Sequence, residues 1–186
     1  MASWLSRLRL PLSDARNFDS LVIPHLNAGY NLARWLLRDT SSAEDAVQEA
    51  TMRAFRYFHS VRGDDARAWF LGIVRNTCFT YLSRSEALME QNGLEDSDLE
   101  FLQAAVGYVG CDPSQTLERT CESTRVNAAI RALPPLLREV IVLRELQDLD
   151  YAAIAKVVEI PIGTVMSRLS RARDQLRLAL AKEGWN

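Results

Sequence analysis

Apolar residues at helical spacing run through both halves of the chain, and this pattern constrains the fold more than any other feature. The first block comprises Phe18, Leu21, Val22, Leu26, Tyr30, Ala33 and Leu37. These residues follow one another at steps of one, three or four, which keeps them on one face of a helix. Few β-branched runs alternate with polar residues, and the 186 residues include only 8 glycines and 6 prolines. The sequence therefore predicts an all-α protein.

Helix boundaries in the N-terminal half are marked by proline and by capping residues. Pro24 lies inside the first apolar pattern and predicts a kink or a late start of that helix. Ser41 and Glu44 have the S-x-x-E spacing of a capping box, which predicts the start of a second helix. The residues that this helix would bury are Ala46, Val47, Ala50, Ala54 and Phe58. A third helix is predicted from Ala66 through Tyr81.

An acidic segment divides the chain into two domains. Residues 89–127 carry 2 Lys/Arg and 8 Asp/Glu, whereas the segments on either side each have a net charge of +2. The hydrophobic fraction of 48% indicates a globular chain. We therefore predict two small helical domains joined by a flexible linker. The parts are an N-terminal extension (1–17), an N-terminal helical bundle (18–85), an acidic linker (86–126) and a C-terminal helix-turn-helix domain (127–182).

The composition argues against several functional classes. No run of eighteen apolar residues is present, and the N-terminus lacks the apolar core of a secretory signal, so we expect a cytoplasmic protein without membrane insertion. The cysteines Cys78, Cys111 and Cys121 form no C-x-x-C pair, and with only two histidines we expect no metal and no cofactor. We find no Ser/His/Asp constellation and no phosphate-binding loop. The sequence predicts neither an enzyme nor a small-molecule substrate.

The C-terminal half predicts a short helix, a tight turn and a longer helix. Prolines open a preceding helix that would bury Leu136, Val140 and Leu143. Asp150 is a plausible N-cap of the short helix that follows. The turn then leads to a last helix that begins at about Ile162. Short helix, turn and helix in this order are the layout of a helix-turn-helix, whose second helix enters the major groove of DNA.

The last helix presents two different faces. Its apolar stripe comprises Val165, Leu169, Ala172 and Leu176, which would face the core. Its polar face comprises Thr164, Ser167, Arg168 and Arg171, which are hydrogen-bond donors suited to bases and phosphates. A basic face that merely contacts solvent is the alternative interpretation of such a helix.

Two sequence blocks resemble the extracytoplasmic-function (ECF) sigma factors of bacterial RNA polymerase. The family's C-terminal promoter-recognition domain is similar to LPPLLREVIVLRELQDLDYAAIAKVVEIPIGTVMSRLSRARDQL. Its N-terminal domain is similar to DTSSAEDAVQEATMRAFRYF and ARAWFLGIVRNTCFTYLSR. The resemblance extends from about Phe18 to Ala181. It implies a promoter-specificity subunit that binds core polymerase, opens the minus-ten element, reads the minus-thirty-five element and starts transcription of a stress-responsive or signal-responsive regulon.

The resemblance also implies roles for particular residues. Asp45, Gln48 and Glu49 share one helix face that could pair with basic residues of a partner, which by resemblance is the clamp coiled coil of the largest polymerase subunit. The residues expected at the minus-ten element are Arg62, Arg67, Arg75 and Asn76. Those expected at the minus-thirty-five element are Thr164, Ser167, Arg168 and Arg171. An anti-sigma factor is the further partner that the family implies.

Two residues depart from the family pattern. Met166 stands where many relatives have a basic residue, so the family pattern does not fix which promoter sequence this protein prefers. Glu159 stands in the turn where glycine is common, so the turn is either strained or differently shaped. Two other functional classes remain as alternatives. A stand-alone helix-turn-helix regulator would bind palindromes as a dimer and would not need the Asp45 block. A pure protein-interaction module with a degenerate basic helix is the other.

Overall fold

The computed structural model describes residues 18–61, 66–91 and 117–182, and these ranges contain helices and turns but no strand. The α-helices are α1 (Leu26–Leu37), α2 (Thr40–Tyr57), α3 (Ala66–Gln91), α4 (Leu117–Ala132), α5 (Pro135–Ile141), α6 (Tyr151–Val158) and α7 (Ile162–Lys182). A π-helical turn, Val142–Leu146, continues α5. The all-α prediction is confirmed. The predicted N-terminal extension and most of the predicted linker lie outside the described residues.

Helices α1, α2 and α3 pack on one another and form the N-terminal domain. The face of α2 toward this core carries Ala43, Ala46, Ala50 and Ala54, all completely buried. Gly29 of α1 faces α3, and a Cβ atom there would lie 2.8 Å from the ring of Phe70. Small residues on α1 and α2 therefore allow the three helices to approach closely.

The starts of the first two helices follow simple backbone chemistry. Residues 18–22 are helical, Pro24 lies in the 3₁₀ turn Ile23–His25, and α1 follows, so of the two predicted outcomes the structure shows a helical pattern interrupted at the proline and not a late start. The predicted capping box at Ser41 is wrong, because that residue already lies inside α2. Asp39 is the N-cap instead: its backbone is extended, and its carboxylate accepts a hydrogen bond from the Ser42 N–H at 2.7 Å.

Helices α4 to α7 form the C-terminal domain, in which α7 packs on α4, α5 and α6. The predicted stripe of α7 faces this core, because Val165, Leu169 and Ala172 are buried. The prediction for Leu136 is wrong, since it is 45% exposed. The buried face of α5 continues instead from Leu137, one turn before Val140 and Ile141.

The turn between α6 and α7 has the conformation that glycine usually supplies. Asp150 caps α6 as predicted, accepting a hydrogen bond from the Ala153 N–H at 2.7 Å. Glu159 ends α6 in the left-handed region, with φ 56° and ψ 43°. Of the two alternatives that the sequence left open, a strained turn or a differently shaped one, the structure shows the strained turn, in which the Glu159 side chain adds a steric cost that glycine would avoid.

The two domains pack directly against each other. Helix α3 lies on α6, and α1 lies on α5. The contact between α3 and α6 is close, because a Cβ atom on Gly72 would lie 3.6 Å from the Val157 carbonyl oxygen. The buried residues of both domains join in one continuous cluster. The described structure is thus a closed arrangement, in which two helical domains share a single core.

Candidate functional site

The residues predicted to bind a partner on α2 lie together in a shallow groove. Asp45 and Gln48 are exposed and Glu49 is half-buried. The groove is completed by Met52, Arg53, Arg56 and, from α3, Tyr81. Within it, Glu49 forms an ion pair with Arg53 one turn along the helix. The structure therefore brings the three predicted residues onto one accessible surface.

Met52 and Tyr81 are among the residues of this groove that were missed in the sequence. Met52 is 47% exposed in the groove, and its place three and four residues after Glu49 and Gln48 could have revealed it. Tyr81 comes from α3, and no local spacing links it to α2. Burial, the nearby carboxylates of Glu49 and Asp45 and a hydrogen bond with the Glu49 side chain raise the pKa of Tyr81, so its hydroxyl stays protonated. An exposed methionine among carboxylates suits a helix that presents both apolar and basic side chains.

The predicted minus-ten residues on α3 face the boundary between the domains. The Arg67 guanidinium donates to the Gln147 carbonyl oxygen at 2.6 Å and contacts its side-chain oxygen at 3.3 Å. Asn76 is exposed, and its side-chain oxygen accepts a hydrogen bond from Arg75 at 3.1 Å. Arg62 lies outside the described residues. Arg75 bonds Glu139 of the C-terminal domain. Two of the three described candidates, Arg67 and Arg75, are therefore bonded to that domain.

The predicted minus-thirty-five residues of α7 divide into two groups. Ser167 and Arg171 are exposed on the outer face, opposite the buried stripe, and Thr164 is half-buried beside them. Arg168 lies at the edge of that face, where its side chain turns toward α5. The outer face also carries Met166 and Ser170, both exposed. Ser170 was missed in the sequence, although its place three residues after Ser167 indicates the shared face.

Glu139 of α5 connects the two sets of predicted DNA-binding residues. Its carboxylate accepts hydrogen bonds from Arg75 Nε at 2.8 Å and Nη2 at 3.3 Å. The same carboxylate accepts a hydrogen bond from Arg168 Nη1 at 3.0 Å. The Glu139 side chain is completely buried, whereas those of Arg75 and Arg168 are 16% and 21% exposed. Burial raises the pKa of Glu139, and both guanidiniums oppose this shift by stabilising the ionised carboxylate.

A second buried charge crosses the domain boundary. Arg138, which is 2% exposed, donates to the carbonyl oxygens of Trp35 and Leu36 at 3.2 Å each. These carbonyls end α1, where the helix dipole favours a cation. Arg138 also donates to the Leu133 carbonyl oxygen at 2.6 Å. Burial lowers the pKa of Arg138 to about 10, with a smaller effect from Arg38, so it keeps its charge at neutral pH.

The described residues show neither a metal-binding cluster nor a membrane-spanning helix. In those ranges, no group of three or more His, Cys, Asp or Glu residues lies together as metal ligands would. None of the described helices combines the length and the apolar content that crossing a bilayer requires. Burial raises the pKa of the Cys78 thiol to about 12, which keeps it protonated and unreactive.

Two family models match the chain, one on each domain. The model for sigma-70 region 2 matches residues 21–87, and the model for sigma-70 region 4 matches residues 123–176. The RNA polymerase sigma-H factor of Pseudomonas aeruginosa is 32% identical over 174 residues, which cover 92% of this chain and 90% of that protein. The ECF RNA polymerase sigma-E factor of Haemophilus influenzae is 32% identical over 172 residues, covering 90% of this chain and 89% of that one.

Solved structures agree with these relatives. The sigma factor RpoE of Bartonella quintana, in complex with the anti-sigma factor NepR, superposes with a TM-score of 0.71 at 25% identity. The match covers 89% of this chain and 98% of that one. CnrH, in complex with the cytosolic domain of CnrY, has the same fold, with a TM-score of 0.61 at 22% identity and coverage of 91% of both chains.

The similarity covers both domains in their order along the chain. A stand-alone helix-turn-helix regulator is not favoured, because such a protein would not carry a region-2 domain ahead of its DNA-binding helices. The relatives match over nearly their whole length. The chain therefore belongs to the extracytoplasmic-function sigma factors of bacterial RNA polymerase.

Proposed function

We propose that this sigma factor binds core polymerase through the α2 groove and contacts promoter DNA through both of its domains. The observation that carries the proposal is the groove itself, where Asp45, Gln48 and Glu49 lie beside an exposed methionine, Met52, with Arg53 and Arg56 also in the lining. An accessible apolar side chain beside acidic and amide groups fits a partner helix that presents apolar and basic side chains. The partner that the family supplies is the clamp coiled coil of the largest polymerase subunit.

The DNA-binding roles follow the division between the domains. We assign the minus-ten element to Arg62, Arg67, Arg75 and Asn76, which would contact phosphates and stabilise unstacked bases. We assign the minus-thirty-five element to Thr164, Ser167, Arg168 and Arg171 of α7. Ser167 and Arg171 support this assignment best, because they are exposed on the face opposite the core. An arginine in that position can bond guanine with two hydrogen bonds in the major groove.

The proposed role is one of binding, with no chemical step carried out by this chain. Its partners are core RNA polymerase, promoter DNA and an anti-sigma factor. The anti-sigma factor is proposed because the Bartonella quintana relative was solved in complex with one. The protein would act in the cytoplasm, where polymerase and chromosome are found. It would need no small-molecule substrate, cofactor, metal or direct membrane insertion.

Charge reversal in the α2 groove tests the proposed polymerase contact. Asp45→Arg and Glu49→Arg should each weaken binding to purified bacterial core polymerase by about tenfold or more, because a cation would face the basic partner surface. The measurement is fluorescence anisotropy of the labelled protein titrated with core enzyme. Glu44→Arg is the matched control: it makes the same charge change at an exposed position of α2 that does not line the groove. Equal losses in all three variants would argue against the groove.

Run-off transcription tests the complete role. Core polymerase with this protein should produce new start sites on a fragmented genomic library, and those sites should share upstream elements. Asp45→Arg should abolish these start sites, whereas Glu44→Arg should retain them. An absence of new start sites, together with an absence of binding to core polymerase, would contradict the proposal.

A further inference from the structure

We propose that Glu139 is a positioning residue for promoter binding, which holds Arg168 permanently and Arg75 only while the two domains are closed. In this arrangement one carboxylate orients Arg168 through a single hydrogen bond from Nη1, which leaves the other guanidinium donors of Arg168 for DNA, and withholds Arg75 through two hydrogen bonds. Promoter binding then requires that Arg75 exchange the carboxylate for DNA, so that domain opening and DNA binding are coupled. The inference rests on the DNA-binding roles proposed above for Arg75 and Arg168.

The two arginines that bond Glu139 belong to different domains. Arg168 and Glu139 both belong to the C-terminal domain, so their hydrogen bond of 3.0 Å can persist when the domains separate. Arg75 belongs to α3 of the N-terminal domain, and its paired contacts with Glu139 at 2.8 and 3.3 Å must break. Two contacts from one guanidinium to one carboxylate also fix its direction, which keeps Arg75 away from external anions.

The charges explain how this contact can break. In the closed arrangement a single carboxylate faces two guanidiniums, with its side chain completely buried. Departure of Arg75 leaves a Glu139–Arg168 pair that is still neutral, so no bare carboxylate remains in the core. Removal of the only partner of a buried charge is strongly destabilising, and the second arginine avoids that penalty. Arg75 meanwhile gains the phosphates of DNA as new partners.

Other contacts at the same boundary make opening a concerted event. Arg67 bonds the carbonyl oxygen of Gln147, and Arg38 bonds the carbonyl oxygen of Arg131. Arg138 bonds the last carbonyls of α1 from the opposite side. These contacts join uncharged carbonyls to arginines. The contact between Arg75 and Glu139, in contrast, is an ion pair between the two domains.

The experiment measures the distance between the domains in the free, full-length protein. Donor and acceptor dyes are attached at Ser41 of α2 and Gln175 of α7, both exposed, and single-molecule energy transfer reports open and closed populations. Arg75→Gln and Glu139→Gln should each raise the ratio of open to closed molecules by about tenfold, as expected for loss of a buried charge pair. Glu145→Gln is the control, because it breaks an exposed ion pair with Arg173 inside the C-terminal domain.

Two further comparisons keep the test decisive. The double variant Arg75→Gln/Glu139→Gln should open no further than either single variant, since both remove the same contact. Arg75→Gln leaves the Glu139–Arg168 pair intact, so it carries the test if Glu139→Gln unfolds. An unchanged distance in Arg75→Gln, or equal opening in Glu145→Gln, would overturn the proposal. Neither polymerase nor a promoter is present, so failure here is distinct from failure of the proposed function.

Coupling to DNA is measured with random-sequence duplex DNA as the probe. Addition of this DNA to the wild-type protein should shift the population from closed to open. Glu145→Gln should respond as the wild type does. Arg75→Gln, whose open population is already raised, should show a shift at least about fivefold smaller, because it has lost the contact that DNA must displace. Saturation with DNA while the wild-type protein stays closed would overturn the coupling.

Discussion

Asp39 connects the start of a helix to the pH dependence of folding. Its carboxylate accepts the Ser42 N–H at 2.7 Å, which satisfies one of the unpaired donors in the first turn of α2. Hydrogen bonds from the Ser42 backbone and side chain hold the pKa of Asp39 below its ordinary value. The stabilisation is therefore complete above the ordinary pKa of an aspartate. It is lost as the pH falls through the lowered pKa of the folded state.

Substitution of this cap should destabilise the protein in a pH-dependent way. Asp39→Ala should lower the free energy of unfolding by about 1 kcal/mol at neutral pH, because α2 loses its N-cap. The difference from the wild type should shrink as the pH falls below the ordinary aspartate pKa. Urea unfolding at a series of pH values measures both effects. Asp39→Asn, which caps without a charge, should remain close to the wild type at neutral pH. A pH-independent loss in Asp39→Ala would contradict this account.

At the scale of the element, α7 separates what local sequence predicts from what it does not. The stripe of Val165, Leu169 and Ala172 follows from helical spacing, and all three residues are buried. The partner of Arg168 does not follow from it, because Glu139 lies 29 residues earlier on a different helix. Spacing assigned Arg168 to the polar face, whereas its angular position is at the edge of that face. Only the packing of α7 on α5 decides which way such a side chain turns.

An added charge on the outer face of α7 tests its proposed contact with DNA. Met166 is 53% exposed there, so Met166→Lys should fold normally and add one phosphate contact. Affinity for random-sequence duplex DNA should rise, and the slope of log K against log salt should steepen by about 1. Ser41→Lys, with the same added charge at an exposed site on the other domain, is the control. Equal slopes in the two variants would count against a DNA-contacting α7.

At the scale of the whole molecule, the closed arrangement depends on contacts between distant parts of the chain. Arg138 reaches the Trp35 carbonyl oxygen across 103 residues, and Arg38 reaches Arg131 across 93. Apolar periodicity predicted the helices, because each helix must bury one face, and the acidic segment predicted the division into two domains. The same periodicity fits two separate cores equally well, so the single continuous core could not be predicted. Buried arginines gave no local signal either, since arginine is usually exposed.

A wedge between α3 and α6 should open the molecule without altering any charge. Gly72 faces Val157 at a distance that accepts a methyl group, so Gly72→Ala should remain compact. Gly72→Leu should increase the radius of gyration in small-angle X-ray scattering, because its larger side chain meets the backbone of α6. Both substitutions favour helix over glycine, so α3 itself should not be weakened. A compact Gly72→Leu protein would contradict the close packing of the two domains.

During synthesis, Arg75 is made before its partner Glu139, so the contact between them forms only after a delay. Arg75 leaves the ribosome 64 residues ahead of its carboxylate partner. At roughly 5–20 residues per second, that separation lasts about 3 to 13 seconds. Throughout this interval the nascent N-terminal domain displays the surface of α3 that the finished molecule covers. A newly made chain is therefore accessible to partners in a way that the same chain, once released and folded, is not.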